Sequence, residues 1–153
     1  MSSLVFPTHV RDQVLEQHVE LRTLLHRVIA LAAPDAGSDA SDLDAVRLRT
    51  AALELGQRFR AHLVFEAQIL KPVFAVLDAW GPERIRDLES EHARQRKDLD
   101  ALLERFESKE DVDRLAGALR SLAADLLQDM DDEEQGCLRA SLLSAVSLRI
   151  ERR

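Results

Sequence analysis

Apolar residues spaced alternately three and four positions apart recur through most of the chain, and this spacing constrains the fold more than any other feature. Residues at this spacing share one face of an α-helix, so each run predicts a helix that buries that face. The composition agrees, because the apolar residues are mostly aliphatic and only 4% of the chain is aromatic. An all-α fold is therefore expected.

The first run covers residues 14–32 and ends before Pro34. Residues 33–41 are rich in Ala, Asp, Ser and Gly, and they form the one segment that resembles a linker. The second run begins near Ser41, which together with Asp44 resembles a capping box.

The second run ends at Trp80 and Gly81. We expect Gly81 to adopt a left-handed conformation after the helix, and Pro82 to lie in the first turn of the next one. Trp80 is interpreted as a hydrophobic cover on this turn. The predicted buried face of this helix extends to Val76.

The third run covers residues 85–106 and the fourth covers 115–143, with Ser108 and Asp111 as the predicted cap between them. Short turns after the second and third helices favour antiparallel neighbours. The expected architecture is an antiparallel up-down-up-down four-helix bundle, forming a single domain over residues 1–153.

Charge and composition limit the possible partners. A formal net charge of −7 disfavours a nucleic-acid partner. The basic end at Arg149, Arg152 and Arg153 is interpreted as favourable charge at a helix C-terminus. The lone Cys137 predicts a small core residue, and the lack of a long apolar run predicts no membrane span and a cytoplasmic setting.

Polar residues interrupt the apolar faces at a few positions. They are His18, His62, Glu66, His92, Gln95, Asp129 and Glu133. A buried carboxylate without a partner costs several kcal/mol, and no Lys or Arg lies on these faces. A bound cation is the simplest compensation, and unloaded carboxylates clustered in this way are expected to have raised pKa values.

The helical spacing of these residues supports a metal site. Residues four apart project together, so His62 lies beside Glu66 and Asp129 beside Glu133. Inward His and carboxylate side chains on facing helices build the metal cores of helical bundles. In the acidic run around these last two residues, Asp131 and Asp132 should face water.

Four segments resemble the helices of the hemerythrin-like, HHE cation-binding family. They are EQHVELRTLL, AHLVFEAQILKPVF, SEHARQRKDLDALL and DMDDEEQGCL. The resemblance implies a non-heme di-iron centre. In the implied centre, His18 and His62 bind one metal. His92 and the residue at the fourth-helix His position, here Asp129, bind the other. Glu66 and Glu133 bridge the two metals.

The chain departs from the family pattern at two positions. Asp129 stands where the family has His, and Arg96 stands where oxygen-carrying members have a further His. The remaining nitrogen and oxygen donors suit iron in a one- or two-metal site, with manganese or zinc as alternatives. The extra carboxylate should favour ferric iron and work against reversible oxygen carriage.

The favoured hypothesis is a metal-binding protein that handles iron or senses O2, peroxide or NO. The alternatives are a metal-poor bundle acting as an interaction or scaffold protein, and a weak oxidase or peroxidase. No catalytic residue is assigned. Glu134 is a reserve ligand, and Glu91 and Gln95 are candidates for orienting an imidazole. His9 and His26 are interpreted as surface residues.

Overall fold

The computed structural model describes residues 2–33, 42–108, 110–143 and 148–151. Its elements in chain order are β1 (Ser2–Val5), α1 (Pro7–Ala32), α2 (Asp42–Leu77), α3 (Gly81–Glu107), α4 (Val112–Gln135) and β2 (Leu148–Glu151). Each helix packs against its neighbours in sequence, and α4 closes the bundle against α1. The predicted four-helix bundle is confirmed.

Of the two residues predicted to cap α4, only Asp111 does so. Asp111 caps α4 by accepting a 2.9 Å hydrogen bond from the Asp113 backbone N–H. Ser108 instead closes α3, because its hydroxyl donates to the Arg105 carbonyl at 2.7 Å. Ser41, the predicted cap of α2, lies outside the described residues.

The fourth helix is shorter than the periodicity predicted. It ends at Gln135, and the Gly136 and Leu138 N–H groups close its last turn on the Asp132 and Glu133 carbonyls at 2.9 and 3.0 Å. Ala140 belongs to the predicted inward face of the fourth run, but it is exposed. Leu143 is buried, but it reaches the core from the turns that follow the helix.

A two-stranded antiparallel ribbon joins the two ends of the described chain. Ser2 is paired with Glu151 and Val5 with Leu148. Arg149 therefore lies in a strand, which corrects its predicted place at a helix C-terminus, while Arg152 and Arg153 lie outside the described residues.

The turn between α2 and α3 depends on close approach of the backbone. Gly81 is the first residue of α3 and is not in the left-handed region, contrary to the prediction. A Cβ at this position would lie 2.2 Å from the Phe74 carbonyl oxygen. Pro82 occupies the first turn of α3 as predicted. Trp80 and Val76 are 64% and 46% exposed, so neither has its predicted buried role.

Gly81→Ala should therefore destabilise the protein by about 2–4 kcal/mol, because the added methyl group must displace backbone. Urea unfolding measures the change. Gly117→Ala is the matched control, since a Cβ there meets nothing within 4 Å and alanine favours helix. Equal unfolding midpoints for the two variants would refute the close-approach argument.

The core has two apolar clusters with a polar layer between them. The larger cluster includes Leu25, Leu55, Phe59, Leu99, Leu126 and Met130. The smaller one includes Val14, Leu70, Phe74, Leu88 and Leu138. Along each helix, the inward polar residues lie between residues of the larger cluster and residues of the smaller one. All four helices therefore contribute side chains to one polar layer.

Candidate metal centre

Each helix supplies at least one side chain to the polar layer. His18 comes from α1, His62 and Glu66 from α2, His92 from α3 and Glu133 from α4. The three imidazoles and Glu66 are each at most 5% exposed, and the Glu133 side chain is 7% exposed. The i,i+4 spacing places His62 and Glu66 on the same inward face of α2.

Glu66 lies at the centre of this layer. Its Oε1 accepts a hydrogen bond from His92 Nε2 at 2.9 Å. Its Oε2 lies 2.9 Å from His62 Nε2 and 3.6 Å from His18 Nε2. One carboxylate therefore contacts imidazoles from three helices.

Three buried polar atoms of the layer remain unsatisfied. Among the described residues, His18 Nε2, Glu66 Oε2 and Glu133 Oε1 have no hydrogen-bond partner with acceptable geometry. They nevertheless converge, because His18 Nε2 lies 3.3 Å from Glu133 Oε1 as well as 3.6 Å from Glu66 Oε2. Leaving such atoms unpaired in a core is unfavourable, and a cation among them would remove the penalty.

A metal ion fits the donor set. His18, His62 and Glu66 each offer one ligand atom, and these atoms all lie within 4.8 Å of one another. Nitrogen and carboxylate oxygen donors on facing helices suit a first-row transition metal. The chain therefore has a buried His/Glu cluster that could bind a metal ion.

The two central carboxylates differ in their electrostatics. Burial disfavours the charge on Glu66, but its contacts with His18, His62 and His92 outweigh burial and hold its pKa well below the usual value. For Glu133, burial dominates and raises the pKa well above the usual value, although His18 partly opposes this. The expectation of raised pKa values for all clustered carboxylates is therefore wrong for Glu66, because the imidazoles stabilise its charge.

His18 carries the compensating charge of the unloaded cluster. Burial opposes the imidazolium, yet contacts with Glu133, Glu66 and Glu134 together raise the His18 pKa to about 10. At neutral pH this proton occupies the layer in place of a metal cation. A metal ion that takes His18 as a ligand must displace it.

Asp129 lies apart from the three imidazoles. Its Oδ2 accepts hydrogen bonds from the Arg94 guanidinium at 2.8 Å and from the Gln95 amide at 3.1 Å. Its side chain is 18% exposed. Arg94 lies outside the predicted inward face of its helix, which is why periodicity did not reveal this cation.

Arg22 is the second cation that periodicity missed. It forms two hydrogen bonds to Glu134, at 2.8 and 2.6 Å, and one to Asp131 at 2.7 Å. Glu134 also lies 3.1 Å from His18 Nδ1. Asp131 and Asp132 are exposed, as predicted.

Two further residues lie near the centre of the layer. The helical pattern gave no indication of Gln17 and only a weak indication of Glu91. Gln17 Oε1 accepts a 2.8 Å hydrogen bond from His62 Nδ1. Glu91 is partly buried, and burial followed by the charges of Asp129 and Glu66 raises its pKa to about 7. Gln17 directly precedes His18, so its position in the chain was the available clue.

A surface pocket of about 220 Å³ lies between α1 and α2 beside His62. Its lining residues are Gln17, Glu20, Leu21, Arg58, Ala61 and His62. The pocket brings solvent to the outer side of one imidazole of the cluster.

The remaining sequence expectations concern residues outside the layer. His9 and His26 are exposed, as predicted. Cys137 is half-buried, and burial raises the pKa of its thiol, which agrees with a packing role. Within the described ranges, no helix has both the length and the apolar character needed to cross a bilayer.

Comparison with known proteins identifies the bundle. The protein-family model described as "Hemerythrin HHE cation binding domain" matches residues 9–140, and this range includes every residue of the polar layer. No curated protein matches the chain, and no solved structure does. On the family match, the chain belongs to the hemerythrin HHE cation-binding family.

Proposed function

We propose that the protein binds non-heme iron in its polar layer and serves in iron handling or in sensing O2, peroxide or NO. One observation carries the proposal: His18 Nε2, Glu66 Oε2 and Glu133 Oε1 converge, buried and unsatisfied, among the described residues. Each of these atoms is a common ligand of iron.

The proposed ligands divide between two positions. The first uses His18, His62, Glu66 and Glu133, whose donor atoms already converge. The second uses His92, the other oxygen of Glu66, and Asp129.

The ligands of the two positions are not equally available to a metal. A metal at the second position must displace Arg94 from Asp129, because the Arg94 guanidinium lies 2.8 Å from Asp129 Oδ2. We therefore propose that the first position fills before the second, and that manganese or zinc can replace iron there.

The chain would contribute binding, orientation and proton release. Bound iron would supply redox chemistry and a site for a small molecule. Glu66 and Glu133 would balance the charge of the ion, and His18 would release its proton as the metal enters. The pocket beside His62 supports access by small molecules from solvent.

A metal-poor scaffold is the second candidate. The ion pair between Arg94 and Asp129 favours it, because this pair neutralises a proposed ligand without any metal. The hydrogen bond from His92 to Glu66 and the charge of His18 beside Glu66 also stabilise the unloaded bundle. A scaffold would keep its stability and its shape when iron is withheld.

Anaerobic loading with ferrous iron separates the two candidates. We expect at least one iron to stay with each chain through desalting, and the oxidised protein to gain a new visible absorption band when azide is added. The band arises because azide enters the metal's coordination sphere. No retained iron, together with an unchanged melting temperature, would instead support the scaffold.

A further inference from the structure

A charged pair between α1 and α4 lies on the outer side of His18, away from the converging donor atoms. Glu134 Oε1 is 3.1 Å from His18 Nδ1 and accepts a 2.8 Å hydrogen bond from Arg22. Glu134 Oε2 accepts a second hydrogen bond from Arg22 at 2.6 Å. We call Glu134 and Arg22 the α1–α4 tether.

The tether occupies the nitrogen of His18 that faces away from the cluster. A carboxylate only accepts, so Nδ1 must carry the hydrogen in this contact. Nδ1–H donation makes Nε2, rather than Nδ1, the nitrogen that can bind a metal on the side of Glu66 and Glu133. An imidazole held by a carboxylate in this way is also a stronger donor to the metal.

We propose that Glu134 is a positioning residue that holds His18 in its metal-binding tautomer and orientation, and that Arg22 in turn holds Glu134. The inference rests on the proposed function. Glu134 is not a ligand in this arrangement, because both of its oxygens are already engaged by His18 and Arg22.

The neighbouring imidazole has a neutral counterpart of the tether. Gln17 Oε1 accepts from His62 Nδ1 at 2.8 Å, so His62 also presents Nε2 to Glu66. The two imidazoles of the first position are therefore held differently, one by an anion and one by an amide. The anion should make His18 the stronger donor of the two.

Affinity for zinc, measured by competition with a coloured chelator, tests the proposal on the full chain. Glu134→Ala should weaken binding by roughly 10–100-fold, the usual effect of losing a group that orients a ligand. Glu134→Gln keeps an acceptor for Nδ1–H and should recover most of that loss. Asp131→Asn is the matched control, because Asp131 contacts Arg22 at 2.7 Å and faces solvent.

The outcomes separate this inference from the proposed function. Wild-type protein that binds neither zinc nor iron would overturn both. Normal wild-type binding with unchanged affinity in Glu134→Ala would overturn only the positioning role. Complete loss of metal in Glu134→Gln would also overturn it, because that result would make Glu134 a ligand.

The reduction potential of bound iron gives a readout that a purely structural role would not move. Glu134→Gln and Asp131→Asn each remove one negative charge from the same end of α4. Only the first charge acts directly on a ligand, so Glu134→Gln should raise the Fe(III)/Fe(II) potential by more. Equal shifts in the two variants would contradict the proposal, even if Glu134→Ala failed to fold.

Discussion

Replacing Glu66 by glutamine is expected to lower the affinity of the core for metal by on the order of 1,000-fold, more than the 10–100-fold typical of residues that only orient a ligand. Among the described residues, only Glu66 is a carboxylate in contact with all of His18, His62 and His92. Glutamine keeps nearly the same volume but carries no charge. The variant therefore removes the proposed anionic ligand while keeping the packing.

Asp129→Asn provides the comparison for Glu66→Gln. Asp129 is paired with Arg94 and lies outside the first position, so its loss should leave the tightest metal-binding step nearly unchanged. Calorimetric titration of both variants with ferrous iron or zinc measures the difference. Wild-type affinity in Glu66→Gln would show that metal binds elsewhere.

The second large effect concerns pH. The pKa of His18 is raised from 6.5 to about 10 in the folded, metal-free protein. Its stabilising contribution is thus complete below pH 6.5 and is lost as the pH rises towards 10. Burial raises the pKa of Glu133 above its usual value of 4.5. Its effect on stability therefore has the same sign, because stability is lost as the pH rises above 4.5.

Metal-free protein should therefore lose on the order of 3 kcal/mol of stability between pH 6.5 and pH 10, or about 10 °C in melting temperature. Metal-loaded protein should be nearly flat over this range, because the ion has already displaced the His18 proton. Glu66 acts oppositely, since its lowered pKa gives stability that is lost as the pH falls below 4.5.

Melting curves of both forms between pH 6 and 10 measure this dependence. His18→Gln is a useful variant, because it should flatten the metal-free curve and weaken metal binding at once. A metal-free wild-type protein equally stable at pH 6.5 and pH 10 would contradict the electrostatic account of the layer.

Helical periodicity was enough to predict the bundle and the side chains of the polar layer, but it also placed Asp129 among them, whereas Asp129 is paired with Arg94. His18, Glu66 and His92 were predicted because each interrupts an apolar face, and the structure buries all three. Such positions are fixed by the geometry of a single helix. Their burial therefore follows from local spacing once the helices pack.

The partners of these side chains could not be predicted in the same way. Arg22 and Arg94 lie off the inward faces, but their long side chains reach across to Glu134 and Asp129 on another helix. Such contacts depend on the relative rotation and height of two helices. A pattern along one chain segment carries no information about either quantity.

The end of α4 and the strand that contains Arg149 were not predicted, for two further reasons. The apolar spacing continues past Gly136 by chance, although the glycine and Leu138 close the helix there. The ribbon pairs two four-residue strands from opposite ends of the described chain, as in the pairing of Ser2 with Glu151. Segments this short have too few residues for an alternating pattern to stand out.

The central claim is that the polar layer holds a metal ion between His18, His62 and Glu66. The most direct test is a crystal of iron-loaded protein measured on both sides of the iron absorption edge. The account predicts an anomalous peak within bonding distance of these three side chains and of Glu133. A map with no peak inside the bundle, or with iron only on the exposed acidic residues of α4, would contradict it.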